Sequence, residues 1–125
     1  MTKPAVSPKT TIIFDTNLRD QTSLALVRGT KSEIVTAPVR AQDLQRLVGE
    51  LLASNKLTLA DIDTFGVLTG PGSFTGTRIG IVATNVFGWL TNKPIVELPG
   101  DDLGAAITHL LKQRPETVKQ ARARY

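Results

Sequence analysis

The stretch Gly66-Val-Leu-Thr-Gly-Pro-Gly-Ser-Phe-Thr-Gly-Thr-Arg-Ile-Gly80 constrains the fold of this chain more than any other. Phe65 to Leu68 is a short apolar run that reads as a buried strand, and Gly70, Pro71 and Gly72 break it sharply. Ser73 and Thr75 are both good helix N-caps, and the apolar-rich segment from Thr77 to Leu90 contains no breaker. Strand, glycine turn and helix start in succession aim backbone N–H groups and the positive end of a helix dipole at one spot, which makes an anion site. The same geometry arises wherever a strand must turn tightly beneath its own helix. Gly72, Ser73, Thr75 and Gly76 are therefore candidate nucleotide or anion contacts, on a signal that is weak by itself.

The flanking sequence supplies the rest of one α/β unit. Residues 1–9, with Pro4 and Pro8, read as a disordered lead-in. Thr10 to Phe14 is β-branched and aromatic and ends at the turn signal Asp15-Thr16-Asn17. Thr22 to Val27 and Glu33 to Ala37 form two more strands around Gly29-Thr30-Lys31, too close together to be anything but antiparallel. After Pro38, Leu44, Leu47, Val48, Leu51 and Leu52 recur at three- and four-residue spacing, with Arg40, Gln42, Asp43, Arg46 and Glu50 opposite. That pattern is an amphipathic helix of about four turns, closed by Asn55 and Lys56. Leu57 to Asp63 is a connector with a short turn capped by Thr58, and Thr64 to Thr69 is the fourth strand. Ile95 to Leu98 is the fifth, and Asp101 or Asp102 caps a third helix with Leu103, Ala106, Ile107, Leu110 and Leu111 on its apolar face. The order β-β-β-α-β-α-β-α implies an α/β domain over residues 10–112 with a mixed five-stranded sheet. It resembles the ribonuclease-H-like unit from which actin-type ATPases (the ASKHA architecture) build each half.

The second helix differs in kind from the first. Arg78 is its only charge, and Gly76, Gly80, Thr84 and Gly88 form a smooth stripe at four-residue spacing. Each interior glycine costs about 1 kcal/mol against alanine, so a close approach of another backbone is expected to offset it. Apolar side chains surround the rest of the helix, so both faces need cover: the sheet on one, and the first helix and a partner protein on the other. The expected partner interface comprises Leu44, Leu47, Val48, Gly76, Gly80, Ala83, Val86 and Phe87, and a homodimer through the second helix is expected.

Composition removes several chemistries. With no cysteine and one histidine, His109, thiol catalysis, disulfides, thiolate zinc sites and multi-histidine metal sites are excluded. The net charge of +4 is local: Lys112, Arg114, Lys119, Arg122 and Arg124 stand against Glu116, and the rest of the chain carries ten basic and ten acidic residues. Residues 113–125 thus read as a solvated basic tail, with contact to RNA or an acidic partner as the sharper alternative. No apolar run approaches the roughly 20 residues of a membrane span, and the N-terminus lacks the apolar core of a signal peptide, so a cytoplasmic location is expected. Asp15 stands after the first strand, where this fold places metal- or phosphate-directed groups. A two-metal nuclease needs three or four converging acids, and the other candidates (Asp61, Asp63, Asp101 and Asp102) read as turn and cap residues. The Gly70 to Thr77 loop lacks the Lys-Ser/Thr pair of a Walker A motif and is not a nucleophile elbow.

Gly70-Pro-Gly-Ser-Phe-Thr-Gly-Thr-Arg-Ile-Gly80 closely resembles the signature Gly-Pro-Gly-Ser-Phe-Thr-Gly-Leu/Val-Arg-Ile-Gly of the TsaB (YeaZ) family, differing only at Thr77. Ile13-Phe14-Asp15-Thr16 is similar to that family's opening Ile-Asp-Thr, and Pro94-Ile95-Val96 to its Pro-hydrophobic strand start. The resemblance covers Thr11 to Leu111, the N-terminal half of a typical member. It implies an actin-like half, and a non-catalytic partner of the transferase TsaD in tRNA threonylcarbamoyladenosine biosynthesis. TsaD is bound through the two helices of this half, and the ATPase TsaE works with the pair. Departures from the family are Asn17, in place of Ser or Thr, and Arg40-Ala41-Gln42-Asp43, where a His-Ser-Glu motif is common. Asp15 and Thr16 join the candidate nucleotide contacts, although actin-like folds hold nucleotide between two halves. No cofactor is expected on this chain alone; ATP and Mg²⁺ are expected only in the assembled complex. The alternative is a half-length actin-like ATPase or kinase that dimerises to complete its site.

Overall fold

The computed structural model describes residues 10–17, 21–38, 44–70, 74–113 and 116–121; of residues 74–77 and 113 it describes the backbone only. The lead-in, residues 39–43 and the loop 71–73 lie outside the described residues.

Strands β1 (Thr10–Asp15), β2 (Thr22–Arg28) and β3 (Lys31–Ala37) form an antiparallel meander. Helix α1 (Leu44–Ser54) leads to β4 (Thr64–Leu68), which pairs parallel to β1. Helix α2 (Phe74–Thr91) then returns the chain to β5 (Ile95–Leu98), parallel to β4, and α3 (Leu103–Gln113) follows. The expected α/β order is present. The expected count of five strands is corrected to six, because β6 (Thr117–Val118) pairs antiparallel to β5 and gives the sheet the order β3-β2-β1-β4-β5-β6. Part of the segment read as a solvated tail is thus a strand.

Period-two alternation along the strands divides the core between two faces. Ile12, Phe14, Leu24, Leu26, Phe65, Val67 and Ile95 face α1 and α2, where Leu44, Leu47, Val48, Leu51 and Leu52 complete one core layer. Ile13, Ala25, Val27, Leu68, Val96 and Leu98 face the opposite way, onto Leu103, Ala106 and Ile107 of α3. The rings of Phe14, Phe65 and Phe87 stack on one another with centroids 5.6 to 6.5 Å apart, tying α2 to β1 and β4.

The ends of the helices follow from local chemistry. Helix α1 closes where Lys56 takes a left-handed backbone (φ 57°), so that the Leu57 N–H reaches the Leu52 carbonyl at 2.9 Å and the Asn55 amide caps the Leu51 carbonyl at 2.8 Å. Asn92 (φ 57°) ends α2 in the same way, with the Lys93 N–H on the Gly88 carbonyl at 3.0 Å. Asp102 caps α3 by accepting from the Ala105 N–H at 3.2 Å. In the connector before β4, the Asp61 carboxylate accepts from the Thr58 N–H at 2.7 Å and from its hydroxyl at 3.1 Å, which holds the Asp61 pKa below its ordinary value.

Candidate functional site

The carboxyl ends of the parallel strands β1, β4 and β5 converge, which is the position where α/β sheets bind ligands. Asp15 ends β1; its Oδ1 accepts from the Asn17 backbone N–H and from the Asn17 side-chain amide, both at 3.1 Å. Burial pushes the Asp15 pKa up. The two Asn17 hydrogen bonds oppose that shift, and the charges of Asp101 and Asp102 reinforce it. The chains leaving β4 and β5 are laced together: Gly70 N–H donates to the Gly100 carbonyl at 3.2 Å, and Gly100 N–H returns to the Gly70 carbonyl at 2.8 Å. Both residues take positive φ, 93° and 104°, a conformation natural to glycine and strained for other residues. Thr69, fully buried beside this bridge, has a hydroxyl without a hydrogen-bond partner among the described residues.

Of the candidate nucleotide contacts, the structure places Asp15 and buried Thr16 at this edge. Gly72 and Ser73 lie outside the described residues, and Thr75 and Gly76 are in the first turn of α2 with their side chains undescribed. Among the described residues, the charges of Asp101 and Asp102 reach Asp15, so this edge gathers negative charge. Among the described residues there is no group of three or more His, Asp or Glu side chains able to hold a metal ion.

The interface candidates divide by burial. Leu44, Leu47 and Val48 are buried in the core layer against the sheet. Gly80 is also turned inward. Its missing side chain makes room for Thr16 within this chain, since a Cβ there would collide with the Thr16 hydroxyl. The stripe continues inward, with Thr84 fully buried and donating to the Gly80 carbonyl at 2.7 Å, and with Gly88 against Ile95. The close approach inferred from the glycines is therefore that of α2 onto its own sheet. Ala83 and Phe87 are partly buried against the same core layer.

Val86 alone of the eight is an exposed large apolar residue, and it has company that the sequence reading did not single out. Val82, Val86, Trp89 and Leu90 are 60, 45, 81 and 61% exposed, at positions i, i+4, i+7 and i+8 of one helix face. An 18-residue helix thus turns its small residues to the sheet and four large apolar side chains outward. The signal was present in the sequence: the face opposite the glycine stripe carries the large residues, so the stripe marks the inside and its complement the outside.

A shallow hollow of about 530 Å³ at the other end of the sheet is lined by Leu26, Arg28, Lys31, Ser32, Glu33 and Asn55. No helix among the described residues is long and apolar enough to cross a membrane.

Comparison with known proteins agrees with this architecture. The family model for TsaD, tRNA N6-adenosine threonylcarbamoyltransferase, matches residues 21–118. A transferase of that name from Bartonella bacilliformis is 33% identical over 78 residues, 60% of this chain and 21% of that protein. One from Gluconobacter oxydans is 38% identical over 76 residues, 61% of this chain and 20% of that protein. The chain therefore spans about a fifth of the curated relatives it matches. Among solved structures, YeaZ from Pseudomonas aeruginosa superposes with a TM-score of 0.66 at 27% identity, over 73% of this chain and 45% of that one. A protein described as similar to peptidase YeaZ from Pseudomonas aeruginosa gives 0.69 at 25% identity, over 85% of this chain and 50% of that one. With the family model spanning most of its length, this chain belongs to the tRNA N6-adenosine threonylcarbamoyltransferase (TsaD) family, and it resembles the N-terminal half of TsaB (YeaZ) proteins.

Proposed function

We propose that this chain is a non-catalytic subunit in the threonylcarbamoylation of tRNA adenosine, and that it docks onto a TsaD-like transferase through the outer face of α2. The single observation that carries this reading is the strip Val82, Val86, Trp89 and Leu90, four large apolar side chains on a helix whose other face is already packed. A contiguous apolar patch of this kind is unusual on a solitary domain and typical of a protein contact, and Trp is among the residues that most often dominate binding energy. The match to the transferase family and the likeness to YeaZ support a partner from the same tRNA-modification chemistry. In this reading a TsaE-like ATPase and tRNA are reached through the transferase, the site of action is the cytoplasm, and the same strip pairs two copies of the chain when the transferase is absent.

Co-purification of the tagged chain with a TsaD-like protein tests the reading. Recovery of the transferase by the parent chain and its loss with Trp89→Glu is the expected result; no recovery in the presence of tRNA and the ATPase overturns it. The place of Asp15 at the end of β1, beside the ends of β4 and β5, is the observation that favours the alternative, a half-length actin-like ATPase or kinase working as a homodimer. Titration with ATP and Mg²⁺ decides that question, because an ATPase requires saturable binding and the scaffold does not.

A further inference from the structure

The segment 116–121 is held by two unrelated elements at once. Its strand β6 lies along the outer edge of β5, pairing Val118 with Ile95 and Thr117 with Val96. Beyond a bend it reaches α2, where the Asn85 side-chain amide donates to the Ala121 carbonyl at 3.2 Å and the Ala121 N–H donates to Asn85 Oδ1 at 2.7 Å. One side chain thus satisfies both backbone groups of one residue, as a neighbouring strand would. The Ala121 side chain is buried in the α1–α2 core layer, and Val118 packs against that layer three residues earlier. Glu116, Thr117, Lys119 and Gln120 are exposed.

We propose that the groove between the β5 edge and Asn85 is a strand-acceptor site for an extended peptide of the form Val-x-x-Ala, occupied here by the chain's own residues 116–121. Backbone pairing supplies affinity that is indifferent to sequence, and the two inward positions supply the selection, as in other strand-addition sites. The Val118 position takes a β-branched apolar group. The Ala121 position takes a side chain no larger than a methyl, because that residue is enclosed between the core and the Asn85 clasp. The occupant also shields an edge strand whose unpaired groups would otherwise invite another chain.

The test uses the full chain with its own strap expelled. Val118→Asp combined with Ala121→Asp puts two carboxylates where only apolar groups fit, while the groove itself is unchanged. A fluorescein-labelled peptide with the sequence of residues 114–123 is then titrated by anisotropy. The expected result is saturable binding at least tenfold tighter to the expelled variant than to the parent, and its loss when Asn85→Leu is added. Equal binding to parent and variant, no binding to a variant whose far-UV circular dichroism matches the parent's, or indifference to Asn85→Leu overturns the proposal. A second measurement holds even if the double variant fails to fold. The chain contains no cysteine, so Asn85→Cys with Ala121→Cys reports the contact directly on mild oxidation. An intramolecular disulfide in a monomer is expected; no disulfide, or a covalent dimer in which the strap belongs to a second copy, contradicts occupation by the chain's own segment.

Discussion

Gly88 lies so close beneath Ile95 that a Cβ placed on it would come within 2.8 Å of the Ile95 Cδ1 and 3.2 Å of the Lys93 carbonyl oxygen. Helix propensity alone would make Gly88→Ala stabilising by about 1 kcal/mol, but overpacking of this kind typically costs about 1–3 kcal/mol and wins. Gly49 of α1 is the control, since nothing lies within 4 Å of its would-be Cβ. Urea midpoints should therefore move in opposite directions, with Gly49→Ala stabilising by about 0.5–1 kcal/mol and Gly88→Ala destabilising by about 1 kcal/mol or more. A stabilising Gly88→Ala would mean that α2 stands farther from the sheet.

Asp15 sets a pH dependence whose sign follows from its raised native pKa. The native state binds this proton more tightly than the unfolded chain does, so the ionised carboxylate weakens folding at neutral pH. That penalty vanishes as pH falls through the raised native pKa. Asp15→Asn retains an acceptor oxygen for Asn17 and carries no charge. Its Tm should exceed the parent's at pH 7, and the gap should close as pH falls toward about 3, below both pKa values. Differential scanning calorimetry across that range checks it; a gap independent of pH contradicts the assignment.

The buried Thr69 hydroxyl has no hydrogen-bond partner among the described residues, and a hydroxyl buried so carries a desolvation cost without a return. Thr69→Val, which is nearly isosteric, is expected to leave stability unchanged or to raise it by about 1 kcal/mol in chemical denaturation. A loss of more than about 1 kcal/mol would show that the hydroxyl has a structural partner.

The elements were legible in the sequence because each carries its own period. β1 alternates Ile12 and Phe14 against Ile13, and α1 repeats Leu44, Leu47, Val48, Leu51 and Leu52 at helical spacing. What those periods do not say is what covers an apolar face. Leu44, Leu47 and Val48 have the same pattern whether a sheet or a partner lies on them, and here it is the sheet. The glycines of α2 were equally ambiguous, since Gly80 and Gly88 announce a close neighbour without naming Thr16 and Ile95. Strand β6 was hidden for another reason. Two residues, Thr117 and Val118, between charged neighbours have no period at all, and their pairing depends on an edge strand and on Asn85, both well over a dozen residues away. At the strand ends, Asp15 was legible from its place where the first strand meets a turn signal, whereas the Gly70–Gly100 bridge depends on two distant turns meeting.

The central claim is that the outer face of α2 is the docking surface for a TsaD-like transferase, and a binding titration against that protein tests it most directly. Surface plasmon resonance with the parent chain, Val86→Glu and Trp89→Glu is the measurement, with urea midpoints recorded for all three. The exposed positions of Val86 and Trp89 predict unchanged midpoints, saturable binding by the parent, and at least about tenfold weaker binding by each variant. Binding that is absent in the parent, or undiminished in both variants, would contradict the account.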